Sequence, residues 1–381
     1  MTGRPLDGIL VVAVEQAVAV PFATRQLADL GARVIKIERP GGDFARGFDR
    51  TVHGQSSHFV WLNRGKESVE LDLKQPSGMA AVNALADRAD VFVQNLSPAA
   101  ARRQGVSAAQ VTATRPRLIA CDVSGYGADG PYAERKAYDL LIQCEAGLVS
   151  ITGTPDEPAK AGISVADIAA GMYAFNGILT ALYQRRDTGR GQAIEISMLE
   201  ALGEWMGYPY LYSRYGGADP PRSGARHATI APYGPFRTAT GEVLTIGIQN
   251  DPEWHAFCTL VLRRGDVAQD RRFAGNAARI ESRAELERLV SDAFAARSYD
   301  DVVRDLDQAR IAWARQRTLA EFCAHPQLAA RDRWRTVRTP GGDVEALLPP
   351  VTSSAWEPAM GPVPALGEHT ESVVAELEGE L

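Results

Sequence analysis

Continuous apolar runs alternate with helical segments through the first half of the chain. Residues 9–15 (ILVVAVE) form an unbroken run rich in β-branched residues, which is typical of a strand buried in a parallel sheet. A second run, residues 33–38 (RVIKIE), follows a short helical segment and ends at a Pro-Gly-Gly turn signal. Residues 68–74 alternate between apolar and polar, which predicts a strand at a sheet edge. Strands that alternate with helices predict an α/β fold with a mainly parallel sheet and right-handed crossovers.

The longest apolar segment predicts one helix from about Val165 to Arg186. Small residues crowd one side of it, and aliphatic and aromatic residues fill much of the rest, which is typical of a helix buried in a sizeable protein. No stretch approaches the ~18 apolar residues of a membrane-spanning helix, so we expect no membrane partner. The helix ends at residues 188–191 (TGRG), and residues 193–197 (AIEIS) predict a short strand.

One carboxylate, Asp167, lies in the first turn of this helix and allows two interpretations. With Ser164 as the N-cap, Asp167 occupies position N3, which resembles a capping box with Asp in place of Glu or Gln. Alternatively, the helix dipole keeps Asp167 ionised in an otherwise apolar setting, where a carboxylate can act as a nucleophile. The spacing alone does not choose between these roles.

The composition changes after about residue 214. Residues 215–235 are dense in Gly and Pro and predict a linker into a second domain. The next segment predicts a hairpin with Thr240-Gly241 at its turn, and polar, Arg-rich helices follow. We therefore expect a large domain from residues 1–214, a smaller α+β domain with its linker from residues 215–325, and a return segment, residues 326–381, that completes the large domain.

Polar residues follow the predicted strands of the parallel sheet, at the edge where ligands bind in such sheets. Gln16 follows the first strand and Arg39 the second, and Asn95 lies at the end of a further predicted strand, residues 91–96 (VFVQNL). Residues 43–65 show little periodicity and many polar and aromatic side chains, which predicts a long loop of functional importance. No GxGxxG motif follows the first strand and no GxxxxGK[ST] motif occurs, so a standard dinucleotide or P-loop site is not expected.

The length, composition, net charge and cysteine count of the chain narrow the class of protein. The chain has 381 residues, 45% hydrophobic and 23% charged, an ordinary composition for a folded protein. Its formal net charge of -6 argues against a nucleic-acid partner. The four cysteines are far apart, without a CxxC pair or a nearby His pattern, which predicts reduced thiols, no metal and a cytoplasmic location. We expect no signal peptide, because the N-terminal apolar run is short and soon acidic.

Several segments together resemble the family III CoA-transferases, the group that includes formyl-CoA transferase and carnitine CoA-transferase. They occur in the family's order across most of residues 5–240, and include LADLGARVIKIERPGGD, LNRGKESVELDLK, ADVFVQNLSP, VADIAAGMYA and RRDTGRGQAIEISMLEA. The resemblance implies a Rossmann-like large domain, a smaller domain and two chains interlocked as a homodimer.

The resemblance also implies a nucleophile and a co-substrate. The family's nucleophilic aspartate matches Asp167, which would attack a donor thioester, expel CoA thiolate and later hold CoA as an aspartyl thioester. Each step passes through an oxyanion that needs preorganised hydrogen-bond donors, and the suppliers suggested here are Gln16 and the loop near Tyr233-Gly234. The family's run of consecutive glycines is absent from that loop.

The CoA contacts implied by the resemblance come from several parts of the large domain. Arg39 would meet the nucleotide phosphates, and Leu73 and Lys74 would border the adenine. The resemblance also implies contacts with the diphosphate, the pantetheine and the thioester. The residues at the matching positions are Asn95, Arg103, Lys136, Tyr138 and Asp139.

Two rival functions remain open. The α-methylacyl-CoA racemases share the fold but need a His-Asp pair, and the matching dipeptide is Tyr138-Asp139. Tyrosine, with an ordinary pKa near ~10, is a poor base at neutral pH, which favours the transferase. A catalytically idle CoA-binding protein is the other alternative, and the intact Asp167 argues against it.

Cationic loop residues suggest which acid accepts CoA. Arg46, Arg226 and His227 lie in predicted loops and could bind a second carboxylate. We therefore expect acyl-CoA and carboxylic acid substrates, with succinyl-CoA as a donor and a C4–C5 dicarboxylate such as itaconate, mesaconate or citramalate as the acceptor.

Overall fold

The computed structural model describes residues 3–379 of the chain. The strands, in chain order, are β1 (Leu10–Val14), β2 (Arg33–Glu38), β3 (Lys66–Glu70), β4 (Val91–Gln94), β5 (Ile119–Ser124), β6 (Ala193–Ser197), β7 (Tyr233–Arg237), β8 (Val243–Gly247), β9 (Ala312–Arg315), β10 (Trp334–Thr339) and β11 (Gly342–Leu347). The α-helices of the first half are α1 (Ala19–Asp29), α2 (Ser57–Leu62), α3 (Pro76–Arg88), α4 (Pro98–Gln104), α5 (Ala108–Ala113), α6 (Asp139–Glu145), α7 (Leu148–Ile151) and α8 (Val165–Thr188). Those of the second half are α9 (Met198–Trp205), α10 (Gly207–Gly216), α11 (Asp251–Ala256), α12 (Gly265–Gln269), α13 (Asn276–Glu281), α14 (Arg283–Ala295), α15 (Tyr299–Gln308), α16 (Leu319–Cys323), α17 (Pro326–Ala330) and α18 (Thr370–Glu378).

The described residues divide into two units. Unit 1 comprises residues 3–148, 161–207 and 328–379, and unit 2 comprises residues 149–160 and 208–327. The sequence-based division places two boundaries, at residues 214 and 325, within seven residues of those observed, but it leaves residues 149–160 in the large domain. Arg222 explains this difference, since its guanidinium donates to the carbonyl oxygens of Ser150, Thr154 and Pro155 and ties that segment to unit 2. No local pattern in the sequence reveals such a long-range bond.

Unit 1 is built on a six-stranded sheet in the order β3-β2-β1-β4-β5-β6, as seen in the described residues. Every neighbouring pair in it is parallel. Val11 and Ala13 of β1 pack into one core with α1 and α8, whereas Val12 and Val14 pack into another with α3 and α5. Burial on both faces explains the continuous apolar run, and the predicted α/β class and the edge position of β3 are confirmed.

Helix α8 follows the prediction closely but runs to Thr188, where Gly189 ends it with a left-handed φ of 69°. A β-carbon on Gly171 would lie 2.5 Å from the backbone oxygen of Ala19, so α8 and the start of α1 are in close contact. By length and composition α8 could span a membrane, contrary to the sequence-based expectation. Its buried alanines, among them Ala169, Ala170 and Ala174, instead pack in the core of unit 1.

The segment predicted as one long loop, residues 43–65, contains two short helical elements. Asp43 caps a 3₁₀ turn, Phe44–Gly47, by accepting a hydrogen bond from the backbone N–H of Ala45. Ser56 caps α2 in the same way through the N–H of Phe59. Each element is too short to show a helical period, so hydrophobic patterning does not detect it.

Unit 2 has its own core and a three-stranded antiparallel sheet, β7-β8-β9, within the described residues. The predicted hairpin is confirmed: β7 and β8 pair, and Gly241 turns between them with a φ of +97°. Strand β9 was not predicted from the sequence. Its side chains are exposed or half-buried, so it lacks a strong hydrophobic signal. The core is aromatic, with Trp254, Phe257, Phe273 and Phe294 buried together.

Candidate functional site

A cavity of about 390 Å³ lies at the carboxyl ends of β1, β2 and β3 in unit 1. Strand β1 has β2 on one side and β4 on the other, so the strand order reverses there, as at the ligand sites of doubly wound sheets. The structure brings four of the predicted residues to this cavity, namely Gln16, Arg39, Leu73 and Lys74.

The cavity wall combines exposed cations with an apolar surface. The Nε of Arg39 donates to the carbonyl oxygen of Gly42 at 3.1 Å, and its guanidinium lies 5.7 Å from the ring centre of Phe44. Lys74 is exposed, and Leu73 packs partly against the core behind the sheet. Cations beside an apolar wall suit a ligand with phosphates and a ring system. Among the other lining residues, Asp72, Leu96 and Gln104 lie outside the first two strands and their turns, and sequence reasoning missed them because none stands out by type or spacing.

Asn95 holds the turn that contains Gln16. The backbone N–H of Gln16 donates to Asn95 Oδ1 at 3.0 Å, and Asn95 Nδ2 donates to the carbonyl oxygen of Gln16 at 2.8 Å. The carboxamide therefore fixes the backbone on both sides of Gln16. This contact gives Asn95 a role that differs from the predicted contact with a diphosphate.

Three predicted residues lie on the surface of unit 1. Arg103 is exposed on α4, directly before Gln104 of the cavity wall. Lys136 and Tyr138 are exposed immediately before α6, and 64% of the Tyr138 surface is accessible. Exposed positions of this kind are open to a ligand.

Asp139 and Asp167 meet at the beginning of α8. Asp139 Oδ1 accepts hydrogen bonds from the backbone N–H groups of Ala166 at 2.8 Å and Asp167 at 3.3 Å. Gln143 is fully buried and donates to Asp139 Oδ2 at 2.6 Å, which orients the capping carboxylate. The capping-box interpretation of Ser164 and Asp167 is wrong, because among the described residues Asp139 supplies the cap from another helix.

The same arrangement changes the acidity of Asp167. Burial raises the pKa of the Asp167 carboxyl, and the negative charge of Asp139 raises it further, to about 7. A carboxylate with a pKa in this range is a stronger base and nucleophile than an ordinary aspartate, and a pKa perturbed by burial and one partner is typical of functional sites. Gly171 follows Asp167 by one helical turn and touches Ala19, so the start of α8 lies alongside the turn after β1.

Arg46 is bound inside unit 1. Its Nε and Nη2 donate to Glu38 at 2.8 Å and 2.7 Å, and its guanidinium lies 3.7 Å from the ring centre of Phe59. Burial would raise the pKa of Glu38, but the hydrogen bonds from Arg46 and the nearby charges lower it to about 2. Arg46 therefore has an internal partner that the sequence did not reveal.

Arg226 and His227 also have partners within unit 2. Arg226 Nε lies 2.9 Å from Glu287 Oε2, and the imidazole of His227 stacks on Tyr233 with 5.2 Å between ring centres. The carbonyl oxygen of His227 accepts a hydrogen bond from Arg283 at 2.8 Å. Tyr233 and Gly234 do not form the loop suggested for oxyanion donors, because both belong to β7 and pair with β8.

Sequence reasoning also missed buried charges beside the cavity. Lys36 and Lys66 lie on β2 and β3 with no more than 3% of their surface exposed. The sequence does carry one signal for them, which is a lysine within an apolar strand run. Such a lysine is expected to be buried, and a buried ammonium group requires carboxylate partners. Among residues 3–379 no group of three or more His, Cys, Asp or Glu side chains is arranged to hold a metal ion.

Comparison with known proteins adds to this geometry. Residues 6–370 match the family described as CoA-transferase family III, which confirms the resemblance seen in the sequence. The succinate–glutarate CoA-transferase of Agrobacterium fabrum is 33% identical, over 98% of this chain and 96% of its own. The succinyl-CoA–D-citramalate CoA-transferase of Chloroflexus aurantiacus is 32% identical, over 99% of this chain and 94% of its own. The crystal structure of a CaiB/BaiF family protein from Brucella suis superposes with a TM-score of 0.86 at 33% identity, covering 99% of this chain and 100% of that one.

Proposed function

The chain belongs to CoA-transferase family III, and from this premise we propose that it transfers CoA from succinyl-CoA to a C4–C5 dicarboxylic acid through Asp167. One observation above all supports this proposal. The Asp167 carboxylate stands in the first turn of α8 without serving as its cap, and its pKa is raised to about 7. The helix dipole there stabilises the carboxylate, whereas burial makes it reactive.

The proposed reaction has four steps. Asp167 attacks the carbonyl carbon of succinyl-CoA, which breaks the C–S bond, releases CoA thiolate and forms a mixed anhydride. The thiolate attacks the aspartyl carbonyl of the anhydride, which gives an aspartyl-CoA thioester and frees succinate. The acceptor carboxylate then attacks this thioester and again releases the thiolate. The thiolate finally attacks the acyl carbonyl of the second anhydride, which yields the new acyl-CoA and restores Asp167.

We assign the cavity of unit 1 to the CoA moiety. Arg39 and Lys74 supply cations for the phosphates, and Leu73 supplies an apolar surface for the adenine. Gln16, at the switch point of the sheet, donates to the oxyanion that forms in each step. Arg103, Lys136 and Tyr138 are exposed on the surface of unit 1 and complete the proposed set of CoA contacts.

Two observations support a dicarboxylic acceptor. Two relatives that match most of the chain act, by their names, on glutarate and on D-citramalate, both C5 dicarboxylates. Arg46, Arg226 and His227 are the chain's candidates for the second carboxylate, although Arg46 and Arg226 would have to exchange their carboxylate partners for it. Glutarate therefore joins itaconate, mesaconate and citramalate among the acceptors to be tested.

A donor–acceptor matrix tests this function. Succinyl-CoA and acetyl-CoA are each combined with glutarate, itaconate, mesaconate, citramalate, acetate and butyrate, and acyl-CoA formation is followed by chromatography. In parallel, mass spectrometry after incubation with succinyl-CoA should detect CoA or an acyl group on the peptide that contains Asp167. A racemase would form neither the adduct nor a new acyl-CoA, and an idle binding protein would bind CoA without turnover.

We also propose that the enzyme works in the cytoplasm as an interlocked homodimer. Three tyrosines on α10, Tyr208, Tyr210 and Tyr215, each expose more than half of their surface in unit 2, and clustered exposed aromatics are typical of protein interfaces. We expect light scattering to give the mass of a dimer even at nanomolar concentration. A monomer under these conditions would contradict the interlocked arrangement.

A further inference from the structure

Four buried charges lie directly behind the turn that contains Gln16. Glu15, Lys36, Asp43 and Lys66 each expose no more than 4% of their surface. Lys36 Nζ lies 2.9 Å from Asp43 Oδ2, and Lys66 Nζ lies 2.6 Å from Glu15 Oε1. Lys36 Nζ also approaches Glu15 Oε1 at 3.5 Å, which joins the two pairs into one network. Two ammonium groups thus balance two carboxylates, which compensates the cost of burying each charge.

Glu15 and Lys66 are satisfied within this network. Glu15 Oε2 accepts a hydrogen bond from Thr24 Oγ1 at 2.6 Å. Lys66 Nζ donates to Asn63 Oδ1 at 3.0 Å and to the carbonyl oxygen of Pro21 at 3.1 Å. These contacts involve β1, β3 and the helices beside them, and none of them reaches the backbone of Gln16.

Asp43 differs because one of its oxygens faces the turn after β1. Asp43 Oδ2 binds Lys36, whereas Oδ1 accepts hydrogen bonds from the N–H groups of Ala45 at 2.9 Å and Ala17 at 3.1 Å. The bond to Ala17 links the network to the residue that follows Gln16. Lys36 therefore orients a carboxylate whose second oxygen holds the turn.

Ala17 has an unusual backbone conformation. Its φ is +60°, in the left-handed region that residues with a β-carbon rarely adopt. A residue keeps such a conformation only where its surroundings enforce it. Asn95 fixes the peptide groups on both sides of Gln16, and Asp43 fixes the N–H of Ala17. The turn is therefore held from two directions.

We propose that Asp43, oriented by the buried Lys36, is a positioning residue for Gln16. Its hydrogen bond to the N–H of Ala17 maintains the left-handed turn and thereby sets the direction in which the Gln16 carboxamide enters the cavity. This inference rests on the proposed function, in which Gln16 donates to the oxyanion of the thioester. Asp43 lines the cavity as well, but in this proposal it acts through the backbone of the turn and not on the reacting atoms.

Two double variants separate the hydrogen bond from the charge balance. Lys36→Met combined with Asp43→Asn, and Lys36→Met combined with Asp43→Ala, each remove one positive and one negative charge. The asparagine keeps a carbonyl oxygen for the N–H of Ala17, and the alanine does not. We expect kcat of the alanine version to be roughly 10–100-fold below that of the asparagine version, because small misplacements of a reacting geometry have effects of this size. The KM for succinyl-CoA should differ by less than about threefold.

Hydrogen exchange provides a readout that does not depend on activity. The peptide that spans Val14 to Val20 should exchange faster in the alanine version, whereas the asparagine version should retain the protection of the wild type. Adding Ala17→Gly to the alanine version should recover part of kcat, since glycine adopts a positive φ without steric cost. A purely structural role of Asp43 would produce no such recovery.

Asp29→Asn is the matched control. Asp29 is also buried and ion-paired, with Arg64 Nη2 at 2.7 Å, but the Gln16 turn is not among its described contacts. This variant should lower stability and leave kcat unchanged. The proposal is overturned if exchange and kcat are the same in both double variants, or if Asp29→Asn lowers kcat as much as the alanine version. A wild-type protein without CoA transfer would refute the proposed function, and the exchange result would still decide whether Asp43 holds the turn.

Discussion

Asp139 caps the helix that begins beside Asp167, and in doing so it places a second carboxylate next to the candidate nucleophile. Asp139 Oδ1 lies 2.8 Å from the backbone nitrogen of Ala166 and 3.3 Å from that of Asp167. The cap therefore comes from outside the helix and leaves the Asp167 side chain available. The negative charge of Asp139 adds to the effect of burial in raising the pKa of Asp167. Asp139 therefore affects both the stability of α8 and the reactivity of Asp167.

Asp167→Asn should abolish CoA transfer and at the same time stabilise the fold at pH 8. Activity is lost because the amide cannot attack a thioester. The pKa of Asp167 is raised from 3.8 to about 7, so ionising it in the folded state costs up to roughly 4 kcal/mol at pH 8. The neutral amide avoids this cost, and we expect a gain of about 2–4 kcal/mol in urea unfolding at pH 8.

The pH dependence of this gain in stability tests the raised pKa of Asp167. A carboxyl with a raised folded pKa contributes most stability below its unfolded pKa, and this contribution is lost as the pH rises through the folded pKa. The advantage of Asp167→Asn should therefore shrink as the pH falls from about 7 towards 4. Transfer activity within tenfold of the wild type would refute the assignment of Asp167, and a constant stability difference across this range would refute the raised pKa.

The pH dependence of kcat/KM should report the ionisation of the same Asp167 carboxyl group. Below about pH 7 the free enzyme holds Asp167 protonated, so kcat/KM for succinyl-CoA should fall by about tenfold per pH unit. Asp139→Asn removes the neighbouring charge but keeps an oxygen for the cap. We expect this variant to move the acid limb of the profile to lower pH, although burial still holds the pKa above 3.8. An unchanged profile would mean that Asp139 does not influence the ionisation of Asp167.

Asp139→Ala should differ from Asp139→Asn in stability. The alanine removes the acceptor for the N–H groups of Ala166 and Asp167, and loss of an N-cap typically costs about 0.5–2 kcal/mol. The asparagine should retain most of this stability. Both variants remove the same negative charge, so thermal unfolding of the two at one pH separates the cap from the charge effect. Equal losses would indicate that the cap oxygen contributes little.

Two glycines of α8 should respond to alanine in opposite directions. A β-carbon on Gly171 would meet the backbone oxygen of Ala19 at 2.5 Å, so Gly171→Ala should destabilise unit 1 by about 1–3 kcal/mol. A β-carbon on Gly177 would meet Ile194 at 3.5 Å, an ordinary contact, so Gly177→Ala should stabilise the helix by up to about 1 kcal/mol. Urea unfolding of the two variants measures both effects, and the same sign for both would contradict the packing described here.

The parts of the fold that could be predicted are those with a hydrophobic period of their own. The apolar run of β1 and the long apolar stretch of α8 indicated a parallel sheet with a buried helix, and both are present. Helix α2 and strand β9 are short or partly exposed and gave no such signal. Tertiary contacts, such as those of Arg222, decided where residues 149–160 belong.

Prediction of the candidate site from the sequence was limited in the same way, because tertiary contacts leave no local pattern. The residue types at the strand ends pointed to Gln16 and Arg39, and the resemblance identified Asp167; of these, the structure places Gln16 and Arg39 at one cavity. The partners of each side chain could not be predicted from the sequence. Asp139, for example, is 28 residues from Asp167 and caps its helix through a tertiary contact. Likewise, the sequence suggested that Arg46 could bind the second carboxylate of an acceptor, whereas Glu38 binds it within unit 1 through two hydrogen bonds. Patterns report which face of an element is buried, but they do not report which side chains meet.

Arg226 is the main residue that we propose for binding the second carboxylate of a dicarboxylic acceptor. A guanidinium can bind a carboxylate through two parallel hydrogen bonds, and Arg226 now binds Glu287, with Nε 2.9 Å from Oε2. Arg226→Ala should lower kcat/KM for glutarate by a factor of roughly ten to a hundred and fifty, which corresponds to a charge-assisted hydrogen bond of ~1.5–3 kcal/mol. The same variant should spare acetate and butyrate, because neither has a second carboxylate.

Glu287→Gln provides the control for this prediction. The amide weakens the internal partner of Arg226 but leaves the guanidinium in place, so it should maintain or raise kcat/KM for glutarate. A support role for the ion pair predicts instead that both variants lower kcat/KM equally, and for mono- and dicarboxylic acceptors alike. Measuring the four acceptor–variant combinations with succinyl-CoA as the fixed donor therefore distinguishes a substrate contact from a structural one. Equal losses of glutarate and butyrate activity in Arg226→Ala would remove Arg226 from the acceptor site.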